Sequence, residues 1–491
     1  MLLLCLLLLL LPILFLLTKL RNNRRKHLFP CPRKLPIIGN LHQLGAHPHR
    51  SLHKLSLKHG PLMLLQLGSV PTLVISTADA LREVLKTNDF SNRPSLYAAK
   101  KYSYGCLSIS FAPYGEYWRQ ARKVCISELL SVKRVQTFGK IREEEVANLI
   151  SGIKKACFSS NSVNLSKVLQ DTSNRIVTRV AFGDRIAAQG YGQILEENQH
   201  LLGEFWVVDY LPWFGWIDAL TGLRKRLEIN FKELDEFFNH VIEEHMKGGS
   251  SNHEPCDLVH VLLQLHKDPA YGTTFSSMSH IKGIILDMFA AGTDTSSVTL
   301  AWIMTELIIN PLAMAKARDE VRKVAGKKEK VEEHDLQNIS YLKLVIKETM
   351  RLHPPAPLLV PRETTETCVI QGREVPPKTR IIINARAISL DPNTWENPEE
   401  FRPERFIDSN ADFRGQDFRF VPFGVGRRSC PGINFALPVV ELVLANLLYC
   451  FDWALPAGMN KEELDLEEEL GISVRKKNPL VLVPRLFQGN M

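Results

Sequence analysis

The sequence predicts one large, mostly α domain with a minor β part, and three observations predict it. Helical periodicity recurs near 78–88, 115–129, 139–156, 166–182, 223–247, 279–309, 311–325, 339–352 and 433–450. Alternating apolar stretches at 62–67 and 71–76, broken by Gly68 and Pro71, read as a hairpin. Short strands fit 367–370 and 379–383, and the tail from 471 to 484 reads as another hairpin. No internal repeat or long low-complexity tract lies between 40 and 491. A chain of 491 residues, 45% hydrophobic and 23% charged, is ample for a large core and excludes collagen-like, disordered and coiled-coil classes.

The net charge is +8, which would suit nucleic acid if it were spread over the body. It is not. Lys19, Arg21, Arg24, Arg25, Lys26, Arg33 and Lys34 all precede residue 35, where no Asp or Glu occurs. The remaining chain is close to neutral, so no nucleic-acid partner is expected. Residues 2–17 are apolar and uncharged, and the cations follow them. A cleaved signal peptide would want its charge before the apolar run and a small-residue cleavage site after it. The pattern instead reads as an uncleaved membrane anchor over 1–20, with the body held in the cytosol. Its roughly 25 Å span suits the thin endoplasmic reticulum bilayer. Residues 21–40 form a basic, Pro-rich linker, and 41–491 the catalytic body.

Nine cysteines are widely spaced with no C-x-x-C pair, which fits reduced thiols facing the cytosol. His49 and His53 would share a helix face at zinc-pair spacing. No carboxylate is near in sequence, so a solvated helix is the expectation there. Residues 205–216, FWVVDYLPWFGW, read as buried packing, with a loop dipping into the bilayer interface as the alternative.

The strongest local signal is Pro422-Phe423-Gly424-Val425-Gly426-Arg427-Arg428-Ser429-Cys430-Pro431-Gly432. Three glycines let the backbone curl around Cys430, and Pro431 suits the first turn of the following helix. A cysteine at a helix N-terminus beside two arginines is expected to have a depressed pKa, and thiolate is what a soft metal ligand requires. Ala291-Gly292-Thr293-Asp294-Thr295-Ser296 interrupts a long apolar helix with an acid and hydroxyls, a costly choice unless something polar uses them.

The Phe423–Gly432 stretch resembles the haem-binding signature F-x-x-G-x-R-x-C-x-G of the cytochrome P-450 family at every fixed position. The resemblance implies that fold, with haem b as cofactor and Cys430 as the thiolate ligand of its iron. It implies that Phe423 packs on the Cys side, Gly432 closes the turn, and Arg428 pairs with a haem propionate. Trp118 and Arg122, in W-x-x-x-R, would reach one propionate together, and Arg362 another. Glu348 and Arg351, in E-x-x-R, with Arg405 look like the structural lock of the haem-binding core. The 291–296 stretch resembles the oxygen-activation motif, in which Asp294 and Thr295 steer water and protons. Substrate-facing positions by the same resemblance are Phe111, Ala291, Leu358, Leu359 and Ile472, an apolar set suited to a hydrophobic substrate. LPIIGNLHQLG and FAPYGEYWRQARK look like the plant A-type group of specialised metabolism.

The implied function is a membrane-anchored haem-thiolate monooxygenase taking O2, a small lipophilic substrate and electrons from NADPH. No flavin or nucleotide motif is present, so a separate NADPH-cytochrome reductase must supply the electrons, docking on the basic Cys-side surface near Lys123, Lys133 and Arg134. An isomerase or dehydratase on the same fold is the rival enzyme class. Such relatives tend to lose the acid–Thr pair that is intact here. A haem-binding scaffold without activity would have no use for that pair.

Overall fold

The fold is built around the helix Met278–Ile309, which at 1.5 Å per residue runs roughly 48 Å. Its residues are buried on nearly every side, so it packs as an internal axis rather than an amphipathic surface helix. Asn310 ends it, and Pro311 opens the next helix at the position where a missing N–H costs nothing. The computed structural model describes residues 29–86, 90–158, 162–184, 192–247, 257–272 and 274–487. Leu165–Phe182 lies lengthwise against the central helix, and Ile433–Cys450 covers another flank. Phe289 on the axis meets Phe182 and Phe237 at centroid distances of 5.1 and 5.8 Å, tying a third helix, Leu223–Lys247, into the same core.

The expected hairpin is present: Leu62–Leu67 pairs antiparallel with Val70–Ile75 through the turn at Gly68. Val70–Ile75 then pairs in parallel with Arg380–Ile383, whose other edge takes Arg362–Glu363. That edge pairing sets Arg362 at the border of the interior cavity. The tail departs from expectation. Arg475–Lys476 pairs back with Glu468–Glu469, while Val481–Leu486 lies between Val163–Asn164 and Phe451–Ala454. Alternation marks a strand but not its partner, and here the partners are remote in sequence.

The anchor expected over 1–20 lies outside the described residues. Among those described, Ile433–Cys450 is long and apolar enough to cross a membrane by itself, but it is 67% buried, the mark of a core helix. The Pro-rich stretch is packed onto the body from Phe29 onward. Phe29 is buried, Pro30 accepts from Leu64 N–H at 3.1 Å, and the buried Asn40 side chain bonds Pro32 and Arg33 carbonyls.

Two expectations about polar and aromatic stretches are corrected. Helix Pro48–His59 is not simply solvated: His49 is fully buried and shares a 2.8 Å hydrogen bond with Glu468, which also takes Arg50 at 2.8 Å. Burial pushes the His49 pKa down, and the His49 and Arg50 contacts hold Glu468 well below the usual carboxylate range. In the aromatic block Trp206 is buried, but Trp213 and Trp216 are 73% and 56% exposed. Buried packing therefore fails for this block as a whole.

The lock takes its expected form. Glu348 and Arg351, both fully buried on helix Tyr341–Leu352, make paired bonds of 2.8 Å, and Arg405 Nε reaches Glu348 at 2.8 Å. Arg351 also donates to the carbonyls of Ser389, Pro398 and Glu400, stitching the helix to the irregular segment that leads to Cys430. Removing one partner leaves a buried charge unpaired, at a cost of about 3–5 kcal/mol. Glu348→Gln and Arg351→Met are therefore expected to abolish or sharply lower the yield of folded, haem-loaded protein. Yields near those of the unaltered chain would contradict the reading.

Candidate active site

Four arginines from four separate segments face one interior cavity of about 280 Å³. Arg93 follows the buried pair Ser91-Asn92, Arg122 sits on helix Glu116–Val124, Arg362 on the sheet edge, and Arg428 in the glycine-rich loop. None forms an ion pair with a described carboxylate; their bonds go to backbone carbonyls. Arg428 donates to Ser91, Ile109 and Ala112 oxygens at 2.8, 3.1 and 2.7 Å. Arg362 donates to Val425 at 2.6 Å, Arg122 to Ser429 at 2.6 Å, and Arg93 to Ser110 at 2.9 Å. Burial, with the neighbouring Arg362 and Arg122 charges, pushes the Arg428 pKa down to about 9. Burial alone brings Arg362 down to about 10 and lowers Arg122 and Arg93 as well. Four cations, three of them buried, face Asp287 as the one carboxylate among the described lining residues, and the excess positive charge calls for an anionic ligand in the cavity.

Cys430 lines the same cavity, at a turn closed by its own N–H bonding Phe423 O at 2.8 Å. Gly424 and Gly426 take φ of 71° and 66° there, values that suit glycine. Gly432 N–H approaches the sulfur at 3.3 Å. Two sequence expectations are corrected here. The helix begins at Ile433 with Gly432 as its cap, so Pro431 lies before the first turn rather than in it. The Cys430 pKa is raised, because burial outweighs the Gly432 N–H and Arg122; Arg428 is turned toward the carbonyls of other segments. A metal cation bound at such a sulfur would displace its proton, which would pass to solvent.

To the same cavity the central helix presents Ala291, Gly292 and Thr295. A Cβ at Gly292 would meet Val177 at 3.1 Å, so the glycine permits close helix packing beside the cavity. Thr295 Oγ1 donates to Ala291 O at 2.8 Å, and Thr293 and Thr299 make the same back-bond one turn away. Asp294 points to the other side of the helix. It lines a separate polar cleft of about 240 Å³ with Arg475 and Glu196, its Oδ1 3.7 Å from Arg475 and its Oδ2 without a described partner. Burial raises its pKa against the pull of Arg475 and Ser473.

A profile of the family described as Cytochrome P450 matches residues 29–483. The chain belongs to the cytochrome P450 family. Cytochrome P450 71A9 of Glycine max is 53% identical, covering 94% of this chain and 93% of the relative. Strychnine-11-hydroxylase of Strychnos nux-vomica is 50% identical, covering 95% and 92%. A zebrafish cytochrome P450 solved with progesterone aligns at a TM-score of 0.76 and 25% identity, over 89% of this chain and 99% of that one. The P450 is thus a haem-thiolate monooxygenase of the plant 71 group, with Cys430 as the axial ligand.

The residues fit haem: one soft sulfur faces the cavity, and guanidiniums in excess of carboxylate stand ready for two propionates. Arg122, Arg362, Phe423, Arg428, Cys430 and Gly432 all line the cavity, as do Ala291 and Leu359. Trp118 does not bring its N–H there; it donates to Ile109 O at 3.0 Å, and its ring carries Arg428 at 4.0 Å from the centroid. Phe111, Leu358 and Ile472 are also outside the lining. Leu358 packs instead against the sheet cluster of Leu52 and Met63, because Leu359 takes a left-handed φ of 50° and turns the chain between them. Sequence reasoning missed Arg93 and Asp287, which reach the cavity through tertiary packing. The arginine in Asn92-Arg93-Pro94 carried no motif that marked it.

Cys430→Ser is expected to remove the absorption band that reports thiolate ligation and to abolish oxygenation. A retained band would exclude Cys430 as the ligand.

Proposed function

We propose that this P450 oxidises a small lipophilic plant specialised metabolite, using electrons that a separate NADPH-cytochrome reductase draws from NADPH. The cavity carries this reading. Its wall includes Ile109, Met288, Ala291, Pro355, Leu359 and Val360, a surface that favours apolar ligands. The strychnine hydroxylase among its relatives supports hydroxylation of a compound of that kind, such as a terpenoid, phenylpropanoid or amino-acid derivative.

Haem, when bound, supplies the redox chemistry of dioxygen, which a proximal thiolate tunes toward O–O cleavage. The chain supplies the rest. Gly432 N–H tempers the charge on the Cys430 sulfur, and Phe423 screens it from water. Arg93, Arg122, Arg362 and Arg428 hold the two propionates. Thr295 holds a proton at Oγ1 on the reacting side. Asp294 collects protons from the polar cleft behind the helix for delivery toward Thr295.

Residues 1–20 anchor the enzyme in the endoplasmic reticulum, the stretch 21–40 leads to the catalytic body 41–491, and the body faces the cytosol, where Lys123 and Lys133 are exposed for the reductase. Trp213, Trp216, Leu220 and Ile37 form an exposed apolar face that meets membrane lipid. Tyr210 O accepts from Ser69 N–H at 2.7 Å, and Gly39 bridges Leu67, so the two segments flank one strand turn.

Incubation with reductase, a lipophilic plant extract and ¹⁸O2 is expected to yield products with one heavy oxygen only when NADPH is present. Unlabelled products formed without NADPH would assign an isomerase or dehydratase instead. Thr295→Ala and Asp294→Asn are each expected to slow product formation roughly 10²-fold while NADPH is still consumed. On vesicles carrying acyl-chain quenchers, tryptophan emission of the full chain is expected to fall, and Trp213→Phe with Trp216→Phe to remove most of that quenching. Undiminished quenching would place the membrane contact elsewhere.

A further inference from the structure

The segment Leu107–Ala112 has two opposite polar faces. Its carbonyls serve the cations: Ile109 O receives Arg428 and Trp118, Ser110 O receives Arg93, and Ala112 O receives Arg428. Its donors serve one acid on the central helix. Ser110 N–H donates to Asp287 Oδ2 at 3.1 Å, and Ile109 N–H with the Ser108 and Ser110 hydroxyls completes the set. A carboxylate has about four acceptor sites, so these donors leave none for a substrate amine. One turn earlier Gly283 lets the segment lie against the helix: a Cβ there would meet Leu107 and Ser108 backbone at 3.2 Å.

We propose that Asp287 is a positioning residue for haem binding, gathering the N–H groups of this segment so that its carbonyls point at Arg93, Arg428 and Trp118. The inference rests on the reading that those guanidiniums hold the propionates. Each peptide group is a dipole, so a fixed negative charge at the N–H side orients its oxygen toward the cation beyond. A neutral amide at 287 would set its own N–H2 against those donors.

Asp287 is charged at neutrality although burial pushes its pKa up to about 6. The charged and titratable groups facing it are Arg93 and Arg428 from the cavity wall, and Tyr117 and Cys125 from the neighbouring helix and turn. As pH falls through about 6 the carboxylate takes a proton, and its hold on the segment weakens.

The test is the rate of haem transfer from purified holoenzyme to excess apomyoglobin. At about pH 7.5 Asp287→Asn is expected to lose haem roughly tenfold faster than the unaltered enzyme, and at about pH 5 the ratio is expected to approach one. Because Asp287 and Arg428 act on one peptide group, through Ser110 N–H and Ile109 O, Asp287→Asn with Arg428→Met should lose haem no faster than Arg428→Met alone. Unchanged loss in Asp287→Asn, a ratio independent of pH, or effects that multiply in the double variant would overturn the role of Asp287. Unchanged loss in both Arg93→Met and Arg428→Met would instead overturn the guanidinium reading beneath it. If Asp287→Asn yields no folded holoenzyme, Ser110→Ala removes one donor, with roughly threefold faster loss expected and no change overturning the proposal.

Discussion

Four guanidinium groups share one interior cavity with a single carboxylate, Asp287, among its described lining residues, and much of the surrounding architecture follows from holding them there. Each is desolvated, which brings Arg362 down to about 10, and the Arg362 and Arg122 charges add to burial in bringing Arg428 down to about 9. The chain meets that strain with backbone carbonyls from the segments 91, 109–112, 360–361, 425 and 429. Those oxygens are partial charges that cannot be titrated away, and they hold the cations in place ahead of any ligand. A haem with two propionates completes the balance, so cofactor binding and local stability are coupled through the same groups.

The pair proposed to handle protons is divided by the central helix. Thr295 belongs to the cavity and Asp294 to a polar cleft behind it, although the two are adjacent in sequence. Successive helical residues lie about 100° apart, which here is enough to turn Asp294 and Thr295 into different compartments. The arrangement separates a wet source of protons from a drier reacting space.

Much of the fold was legible. The central helix, the lock of Glu348, Arg351 and Arg405, the first hairpin and the Cys430 turn all stand where local pattern put them. What was not legible depended on partners far away in the chain. His49 lacks a nearby carboxylate until Glu468 is brought to it, and Val481–Leu486 has no adjacent strand to pair with. The Cys430 pKa was misread for a related reason: the sequence displays two flanking cations, but not the burial that outweighs them or the turn that carries Arg428 away.

The sequence by itself determined the chemistry, because a thiolate turn, an acid–alcohol step in a helix and a buried ion lock each need particular residues at short spacing. Tertiary structure alone decided the shape of the space around that chemistry. It recruited Arg93 and Asp287 to the cavity and turned Trp118, Phe111 and Leu358 away from it. It also left Trp213 and Trp216 outside the core. Short-range spacing dictates which groups can react together, whereas the walls of a cavity are set by side chains that meet only after distant segments pack.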